Sequence, residues 1–350
     1  MKRCPAGVAV FALVFGVLFS GLLRADVRPH GLFTDNMVLQ RDMAVRVYGT
    51  AAEGEEVTVE IAGRRGTTVA ADGDWRVELP ALAAGGPHRL VISGQNRVVL
   101  KNVLVGDVWL CTGQSNMAGI LRTYVGPKYE KYRHLYEGIP GERTFERMRL
   151  FKVQRGAADE PRVDVEPDGA FGADWRVCDP EAALLFSATG YLFGRALREH
   201  VDVPLGLIYS TVGGTGAQCW VSPDVLRSRP EFAPILEGYA EALERYPQAQ
   251  KQHEERVAAW REKREAGEKA GRRPRPPMGP SHIKRPSGLY HYMLAPLQAF
   301  PIKGAIWYQG ESNAGQPEQY RTLFPAQTTS WREQCGPGDG CRRQCGQGPL

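Results

Sequence analysis

The sequence has little of what marks nucleic-acid-binding or zinc-binding proteins. Its formal net charge is only +5 over 350 residues, and it has no basic stripe with interleaved aromatic residues, which argues against nucleic acid as a partner. Its seven cysteines match no zinc-binding spacing. For the three cysteines of the expected folded body we predict buried thiols, although an exported protein could pair two of them: Cys111, Cys178 and Cys219.

Long hydrophobic runs are also absent beyond the N-terminus. The one such run, residues 8–23, follows Lys2 and Arg3 and ends before a polar stretch. Ala25 fits a cleavage site at the end of this segment. This pattern predicts a signal peptide over residues 1–25. A membrane anchor is the alternative, but the run is shorter than the roughly 20 residues that a spanning helix needs. We therefore expect a secreted or periplasmic protein with no stable membrane insertion after cleavage.

The N-terminal part of the remaining chain has the pattern of a small β domain. Residues 57–61 and 75–79 alternate between apolar and polar side chains, and the Asp-Gly-Asp at 72–74 is typical of a turn between strands. Short strands with frequent turns predict a β-sandwich domain over residues 27–104.

The pattern then changes to that of an α/β domain. Apolar stretches at 103–110, 204–209 and 303–308 fit strands buried on both faces. Alternation of such strands with helices predicts a parallel sheet with helices on both faces, over residues 105–334. Each stretch is followed by a loop rich in Gly, Ser, Asn or Gln. Because ligands bind at the carboxyl ends of such strands, these loops are the first indication of a functional site.

Two helical segments are predicted between these strands. Asp179 and Pro180 fit the cap and first position of a helix, which we expect to run to about His200. Residues from about 223 to 286 form a charged helical insertion, interpreted as a solvated helical hairpin with a stiff, basic return at 272–277. Contact of that return with a polyanion is the alternative.

The three polar loops carry groups suited to acyl transfer. Ser115, after a strand and before a helix start, can expose its hydroxyl and direct its own N–H toward an oxyanion. A helix-capping serine is the alternative interpretation of this residue alone. The adjacent Gly213 and Gly214 can bring bare backbone to a carbonyl, and Gln309 or Asn313 can supply a side-chain amide. Three donors around one nucleophile are what ester cleavage requires.

Two longer strings extend this pattern. VWLCTGQSNM at 108–117 and KGAIWYQGESNA at 303–314 resemble the sialate O-acetylesterase branch of the SGNH/GDSL hydrolases, as do residues 186–190 and 204–208. That branch is related to acetylxylan esterases. The resemblance covers roughly residues 29–333 and implies a flavodoxin-like SGNH fold, consistent with a preceding sandwich and a charged insertion.

The resemblance also implies roles for the loop residues. Ser115 is expected to be the nucleophile of an acyl-enzyme mechanism, with Gly214 and Asn313 as oxyanion donors and Gln309 beside them. It implies removal of acetyl groups from sugar hydroxyls without a metal or other cofactor. Glu311 is expected to share the catalytic acid's role, by similarity to the Gln-Gly-Glu of acetylxylan esterases. A carboxylate that only braces the loop is the alternative.

The sequence lacks the histidine that the resemblance leads one to expect. The family has an Asp-x-x-His near its C-terminus, and this chain contains no such string. None of its histidines follows the third strand: His30, His88, His134, His200, His253, His282 and His291. We interpret His291 as a pocket-lining or structural residue and not as a base.

The end of the sequence departs from the family's pattern. A helix resembling the family's next helix is expected over residues 317–333, but Gln327 interrupts its apolar stripe. Residues 335–350 have no periodicity, and we expect them to be non-native or disordered, from a truncated or frame-shifted gene. A cysteine-rich functional tail is the alternative.

The sequence thus predicts a carbohydrate esterase whose partner is an acetylated sugar. A catalytically impaired carbohydrate-binding fragment is the main alternative, and a structural surface protein that uses the sandwich alone is a third.

Overall fold

The structure is a computed structural model that describes residues 26–125, 130 and 144–334. The predicted signal peptide and the predicted C-terminal tail lie outside these residues. Within the described part of the chain, no helix has the length and apolar character needed to cross a membrane.

Strands occur in both halves of the chain. In order they are β1 (Arg28–Pro29), β2 (Val38–Gln40), β3 (Val45–Thr50), β4 (Glu56–Ile61), β5 (Arg64–Val69), β6 (Asp74–Leu79), β7 (Gly85–Ser93), β8 (Arg97–Gly113), β9 (Phe145–Lys152), β10 (Arg176–Cys178), β11 (Leu205–Thr211) and β12 (Gly304–Tyr308). The α-helices are α1 (Ser115–Ala118), α2 (Leu121–Tyr124), α3 (Pro180–Leu185), α4 (Ala188–Leu197), α5 (Pro223–Arg227), α6 (Ala233–Glu265) and α7 (Pro317–Gln334). Short 3₁₀ or π turns cover Ala217–Cys219, Pro230–Phe232, Tyr290–Leu294, Ala295–Leu297 and Glu311–Asn313.

The N-terminal strands form two sheets that share one core. One sheet has the order β1-β3-β6, and in the other β5, β4, β7 and the first part of β8 lie side by side. Alternate residues of β4 and β6 are buried, as the sequence pattern predicted. Val59 of one sheet and Val77 of the other belong to the same buried cluster, so the two sheets pack face to face.

Strand β8 continues from this sandwich into a second, parallel sheet. Its residues 97–105 pair antiparallel with β7, whereas residues 107–113 pair in parallel with β11. The domain boundary predicted between residues 104 and 105 therefore falls inside one unbroken strand. Residues 103–113 are all buried, and the sequence has no proline or turn there that could end the strand.

The C-terminal sheet has the order β10-β9-β11-β8-β12, parallel except for the edge strand β10. Both of its faces are covered. On β11, Leu207 packs in the cluster formed with α3 and α4, whereas Ile208 packs in the cluster that contains Leu289 and Met293. The predicted α/β fold, with a parallel sheet and an antiparallel N-terminal region, is confirmed.

The helix predicted from Asp179 to about His200 is interrupted. Asp179 caps α3 as expected, since its carboxylate accepts from Ala182 N at 2.7 Å, but Phe186 is extended and ends that helix. Ser187 then caps α4 by accepting from Gly190 N at 2.9 Å. Its hydroxyl also donates to Met117 O at 2.6 Å, so the break ties α4 to α1.

The charged insertion contains one long helix and not a hairpin. Helix α6 spans 33 residues, and the chain returns through residues 266–287 without a second helix. Gly267 and Gly271 both have positive φ, and prolines at 274, 276 and 277 prevent helical hydrogen bonding in the return.

Candidate active site

The three polar loops meet at one edge of the parallel sheet. Strand β8 lies between β11 and β12, and Gly113 at its end is in register with Thr211 on one side and Tyr308 on the other. Because all three strands run in the same direction, the loops that follow them emerge together. The sheet therefore brings the predicted site residues of the three loops into one place.

The turn before Ser115 depends on Gly113. Its φ is +132°, and a Cβ on this residue would lie 2.2 Å from Tyr308 O. Gln114 N then donates to the same carbonyl at 2.9 Å. The turn leaves Ser115 exposed at the first position of α1, while Met117 anchors that short helix in the core.

The glycine loop after β11 lies directly against the serine. A methyl group on Gly213 would lie 3.6 Å from Ser115 Cα and 3.7 Å from its Cβ. Gly214 has φ +71°, and a methyl group there would lie 3.5 Å from Lys284 Nζ. The predicted role of Gly214 as an oxyanion donor stays a prediction, whereas Gly213 is the glycine packed on the serine.

The predicted amide donors are joined in a network. Gln309 Nε2 lies within 3.2 Å of three acceptors, Gln114 Oε1, Thr215 O and Asn313 Oδ1. Its N–H groups are thus directed at the protein, and in this geometry Gln309 braces the loops. Its predicted part in oxyanion binding stays a prediction.

Asn313 is buried, with its side-chain oxygen turned into the protein. Asn313 Oδ1 accepts from Ala217 N at 2.9 Å as well as from Gln309. Asn313 Nδ2 donates to Gln218 Oε1 at 3.1 Å, which leaves its second N–H for a ligand. This side chain therefore retains the donor that its predicted role needs.

Two glutamines of this network were missed by sequence reasoning. Gln114 Oε1 accepts from Ser312 N at 3.1 Å and from Gln309, so it joins the loop after β8 to the loop after β12. Gln218 joins the loop after β11 to Asn313. Gln114 lies between Gly113 and Ser115, so the first motif itself could have identified it as a site residue. Gln218 belongs to none of the motifs found in the sequence.

Glu311 contacts the residue that follows the serine. Its Oε1 accepts from Asn116 Nδ2 at 2.5 Å, and the Asn116 carbonyl accepts from Thr189 Oγ1 at 2.8 Å. The structure thus puts the carboxylate on the α1 side of the site, in a bracing position. Its predicted catalytic role stays a prediction.

His291 lies in the buried turn Tyr290–Leu294, and its Nδ1 is 3.2 Å from Ala158 O. Within residues 26–125 and 144–334, no histidine forms a hydrogen bond with Ser115. This placement fits the interpretation of His291 as a structural residue.

The thiols near the site are unsuited to nucleophilic attack. Burial raises the pKa of Cys219 to about 12 and that of Cys111 further still, so both are neutral thiols at pH 7. In the described part of the chain, no group of three His, Cys, Asp or Glu side chains could hold a metal ion. The predicted role of the exposed Ser115 hydroxyl as the nucleophile stays a prediction.

No family model matches the sequence, but individual proteins do. The sialate O-acetylesterase of Rattus norvegicus is 29% identical over 336 residues, which cover 86% of this chain and 55% of that protein. The sialate O-acetylesterase of Homo sapiens is 28% identical over 351 residues, which cover 92% of this chain and 57% of that protein. The chain therefore spans little more than half the length of these relatives.

A solved structure gives the same likeness. A carbohydrate acetylesterase from Xanthomonas citri matches with a TM-score of 0.65 and 29% identity, over 88% of this chain and 57% of that one. The resemblance to sialate O-acetylesterases that the sequence motifs indicated is confirmed over most of the chain.

Proposed function

We propose that this chain is a carbohydrate esterase that removes O-acetyl groups from sugars through an acyl-enzyme on Ser115. The observation that carries the proposal is the convergence of three loops on one exposed hydroxyl at the carboxyl edge of the sheet. The names of the relatives, sialate O-acetylesterase and carbohydrate acetylesterase, support the same chemistry.

In this mechanism the Ser115 hydroxyl attacks the acetyl carbonyl. The tetrahedral intermediate then collapses by breaking the ester bond to the sugar, whose oxygen leaves as a hydroxyl with the proton that Ser115 gives up. Water hydrolyses the resulting acetyl-Ser115 to acetate and restores the serine hydroxyl. The tetrahedral oxyanion is stabilised by backbone N–H groups of Ser115 and Gly214 and by the remaining N–H of Asn313. Gln309 and Gln114 hold the loops at the required separation. Such pre-organised donors typically contribute about 100- to 1000-fold each to the rate.

A second candidate function is non-catalytic sugar binding. A serine hydroxyl is a weak nucleophile until a base takes its proton, and among the described residues no histidine is hydrogen-bonded to Ser115. A chain that keeps the loops but not the base would bind an acetylated sugar without turning it over.

Hydrolysis of 4-nitrophenyl acetate distinguishes the two candidates. The purified chain is compared with Ser115→Ala and with Ser312→Ala, which removes an exposed hydroxyl from the neighbouring loop. Esterase function predicts that Ser115→Ala loses activity by about four or more orders of magnitude, while Ser312→Ala keeps most of it. Equal rates for the chain and Ser115→Ala, together with binding of acetylated sugars, would favour the second candidate.

We also propose that the protein is exported. The support is the sequence pattern of residues 1–25, a positive start followed by an apolar run. Expression with a C-terminal tag, followed by cell fractionation and mass spectrometry of the new N-terminus, tests it. Intact chain with Met1 in the cytosol would contradict export.

A further inference from the structure

The far end of the charged insertion is strongly basic. Residues 260–275, called here the cationic tip, contain seven Lys or Arg and three Glu, which gives a net charge of +4. The whole chain of 350 residues carries only +5. All seven cationic side chains of the tip are exposed. This short segment thus carries a net charge close to that of the whole chain.

The return segment lies along α6 and brings its arginines beside those of the helix. Trp260 Nε1 donates to Gly271 O at 3.2 Å, and further along the return Gly279 packs directly on the ring of Tyr246. Because the later residue of the return meets the earlier residue of the helix, the two segments run antiparallel. The cations of both segments therefore belong to one surface.

The cationic tip is a projection and not a groove. Helix α6 has 33 residues, which span about 50 Å, and Val257 is its only buried residue. No residue from 258 to 278 is buried. A convex cationic surface of this kind fits a flat anionic partner better than a single polymer strand, which is bound in a charged groove.

The protein does not neutralise the charges of the tip. Among the described residues, none of its seven cations forms an ion pair, whereas Arg245 of the same helix pairs with Glu241 at 3.2 Å. That pair has the acidic residue four positions before the basic one, the favoured spacing on a helix. In the tip these positions are occupied by Val257, Ala259 and Trp260, so the sequence itself leaves the cations unpaired.

Roles within the protein account for only part of the tip. Lys263 and Arg264 lie in the last turn of α6, where positive charge is favourable at the end of the helix dipole. The Arg264 guanidinium also lies over the Trp260 ring, 5.1 Å from its centre. The three arginines of the return, at 272, 273 and 275, have no hydrogen bond or ion pair with any described residue. Their charges remain available to a partner.

The one aromatic residue of the tip is already engaged. Trp260 has its indole N–H bonded to Gly271 O and its ring against Arg264. The tip therefore offers no free aromatic platform on which the bases of a nucleic acid could stack. Binding must depend on charge, which favours a surface with many phosphate groups.

We propose that the cationic tip docks the protein on a membrane surface of anionic phospholipids, without insertion into the bilayer. Arginine binds phosphate oxygens through paired hydrogen bonds, and clusters of Lys and Arg are attracted by the negative potential of such a surface. Prolines at 274, 276 and 277 stiffen the return, so its arginines lose little freedom on binding. This interaction is separate from the chemistry proposed for Ser115.

Co-sedimentation with vesicles tests the docking. The full chain is mixed with vesicles of phosphatidylglycerol and phosphatidylcholine, and separately with vesicles of phosphatidylcholine alone. The ratio of the two affinities removes uncharged contacts, including any made by the apolar run at 8–23. We expect a strong preference for the anionic vesicles that is lost at high salt, because salt screens the attraction. Equal binding to both kinds of vesicle, or no binding to the anionic ones, would overturn the proposal.

A triple substitution assigns the binding to the tip. Arg272→Gln, Arg273→Gln and Arg275→Gln together should weaken binding to the anionic vesicles by about 100-fold, since each cation near such a surface contributes roughly fivefold. A matched control changes the net charge equally by replacing three exposed arginines of the sandwich: Arg64→Gln, Arg89→Gln and Arg97→Gln. The control should bind like the parent chain. Similar affinities for the two variants would contradict docking through the tip.

A gain of affinity excludes loss of folding as the explanation. Glu265→Gln and Glu268→Gln remove exposed negative charges from the tip and together should tighten binding to the anionic vesicles by about fivefold or more. Unchanged affinity in this double variant would count against the proposal.

Dextran sulfate, used in place of the vesicles, serves as a soluble polyanion. Binding to dextran sulfate without binding to anionic vesicles would assign the tip to a polymer and overturn the membrane as its partner. Hydrolysis of 4-nitrophenyl acetate by the triple variant should match that of the parent chain, so the docking and the esterase function fail or succeed separately.

Discussion

Asn116 and Glu311 are joined by a 2.5 Å hydrogen bond between a side-chain amide and a carboxylate. Asn116 immediately follows the candidate nucleophile, and Glu311 belongs to the loop after β12. The bond therefore fixes the distance between the nucleophile's helix and the loop that carries Asn313, although the two residues are 195 positions apart in sequence.

Substitutions at Glu311 test whether this side chain holds its loop in place through the hydrogen bond to Asn116 or acts through its negative charge. Glu311→Gln keeps an oxygen that can accept from Asn116, whereas Glu311→Ala removes it. If the residue braces the loop, Glu311→Ala should lower kcat/KM by about two- to tenfold, the worth of one hydrogen bond, and Glu311→Gln should stay close to the parent chain. Equal losses in both variants, measured with 4-nitrophenyl acetate, would instead assign the effect to the negative charge.

Alanine at position 113 should damage both stability and the site. Its Cβ would meet Tyr308 O, and the positive φ is unfavourable for a side chain, so we expect a loss of about 3 kcal/mol or more in the free energy of unfolding. Gly54→Ala is the matched control: Gly54 has φ +75° with nothing within 4 Å of the added methyl, and it should cost only about 1–2 kcal/mol. Urea unfolding measures both, and similar losses would mean that contact with Tyr308 is unimportant.

Gln327→Leu should stabilise the protein. Gln327 is fully buried in α7, one turn after the buried Leu323, and neither atom of its amide group has a hydrogen-bond partner among the described residues. Removing an unsatisfied buried amide should raise the free energy of unfolding by about 1–3 kcal/mol. Gln248→Leu, at an exposed position of α6, should change it little. Destabilisation by Gln327→Leu would show that the amide has a partner.

His30 should make stability depend on pH. Burial lowers the pKa of His30 below its ordinary value of 6.5, although the charge of Asp164 opposes this shift. As the pH falls below 6.5, the unfolded chain takes up a proton before the folded one does, so the free energy of unfolding should decrease from pH 6.5 toward the lower folded pKa.

Unfolding in urea at pH 7.5 and 5.5 tests this dependence. Replacing His30 with Gln should reduce the loss of stability between the two values, whereas His200→Gln, at an exposed position, should leave the loss as in the parent chain. An equal loss in His30→Gln would assign the pH dependence to other groups.

The positions of the three polar loops could be predicted from sequence because apolar strands of a parallel sheet end at a common edge. The local strings around Ser115 and Asn313 then indicated which chemistry these loops carry. The loop positions follow from strand periodicity and turn residues, which the fold preserves, whereas the chemistry was implied by the resemblance of these strings to sialate O-acetylesterases.

Other features depend on contacts between distant segments. The helix predicted from Asp179 to about His200 breaks at the extended Phe186, and the Ser187 hydroxyl at this break donates to Met117 O, a partner 70 residues earlier in the chain. Lys284 lies beside Gly214 only because the return of the insertion is anchored on the loop after β11, where Ser287 N donates to Gln218 O. No local pattern encodes either contact, so neither could be read from the sequence.

The unbroken strand β8 has a consequence for how the protein unfolds. Since the sandwich and the parallel sheet hold opposite halves of one strand, neither can detach β8 without straining the other, and the two should melt in a single cooperative transition. A sugar bound beside Ser115 would therefore slow hydrogen exchange at backbone amides of β7, far from any atom that it contacts.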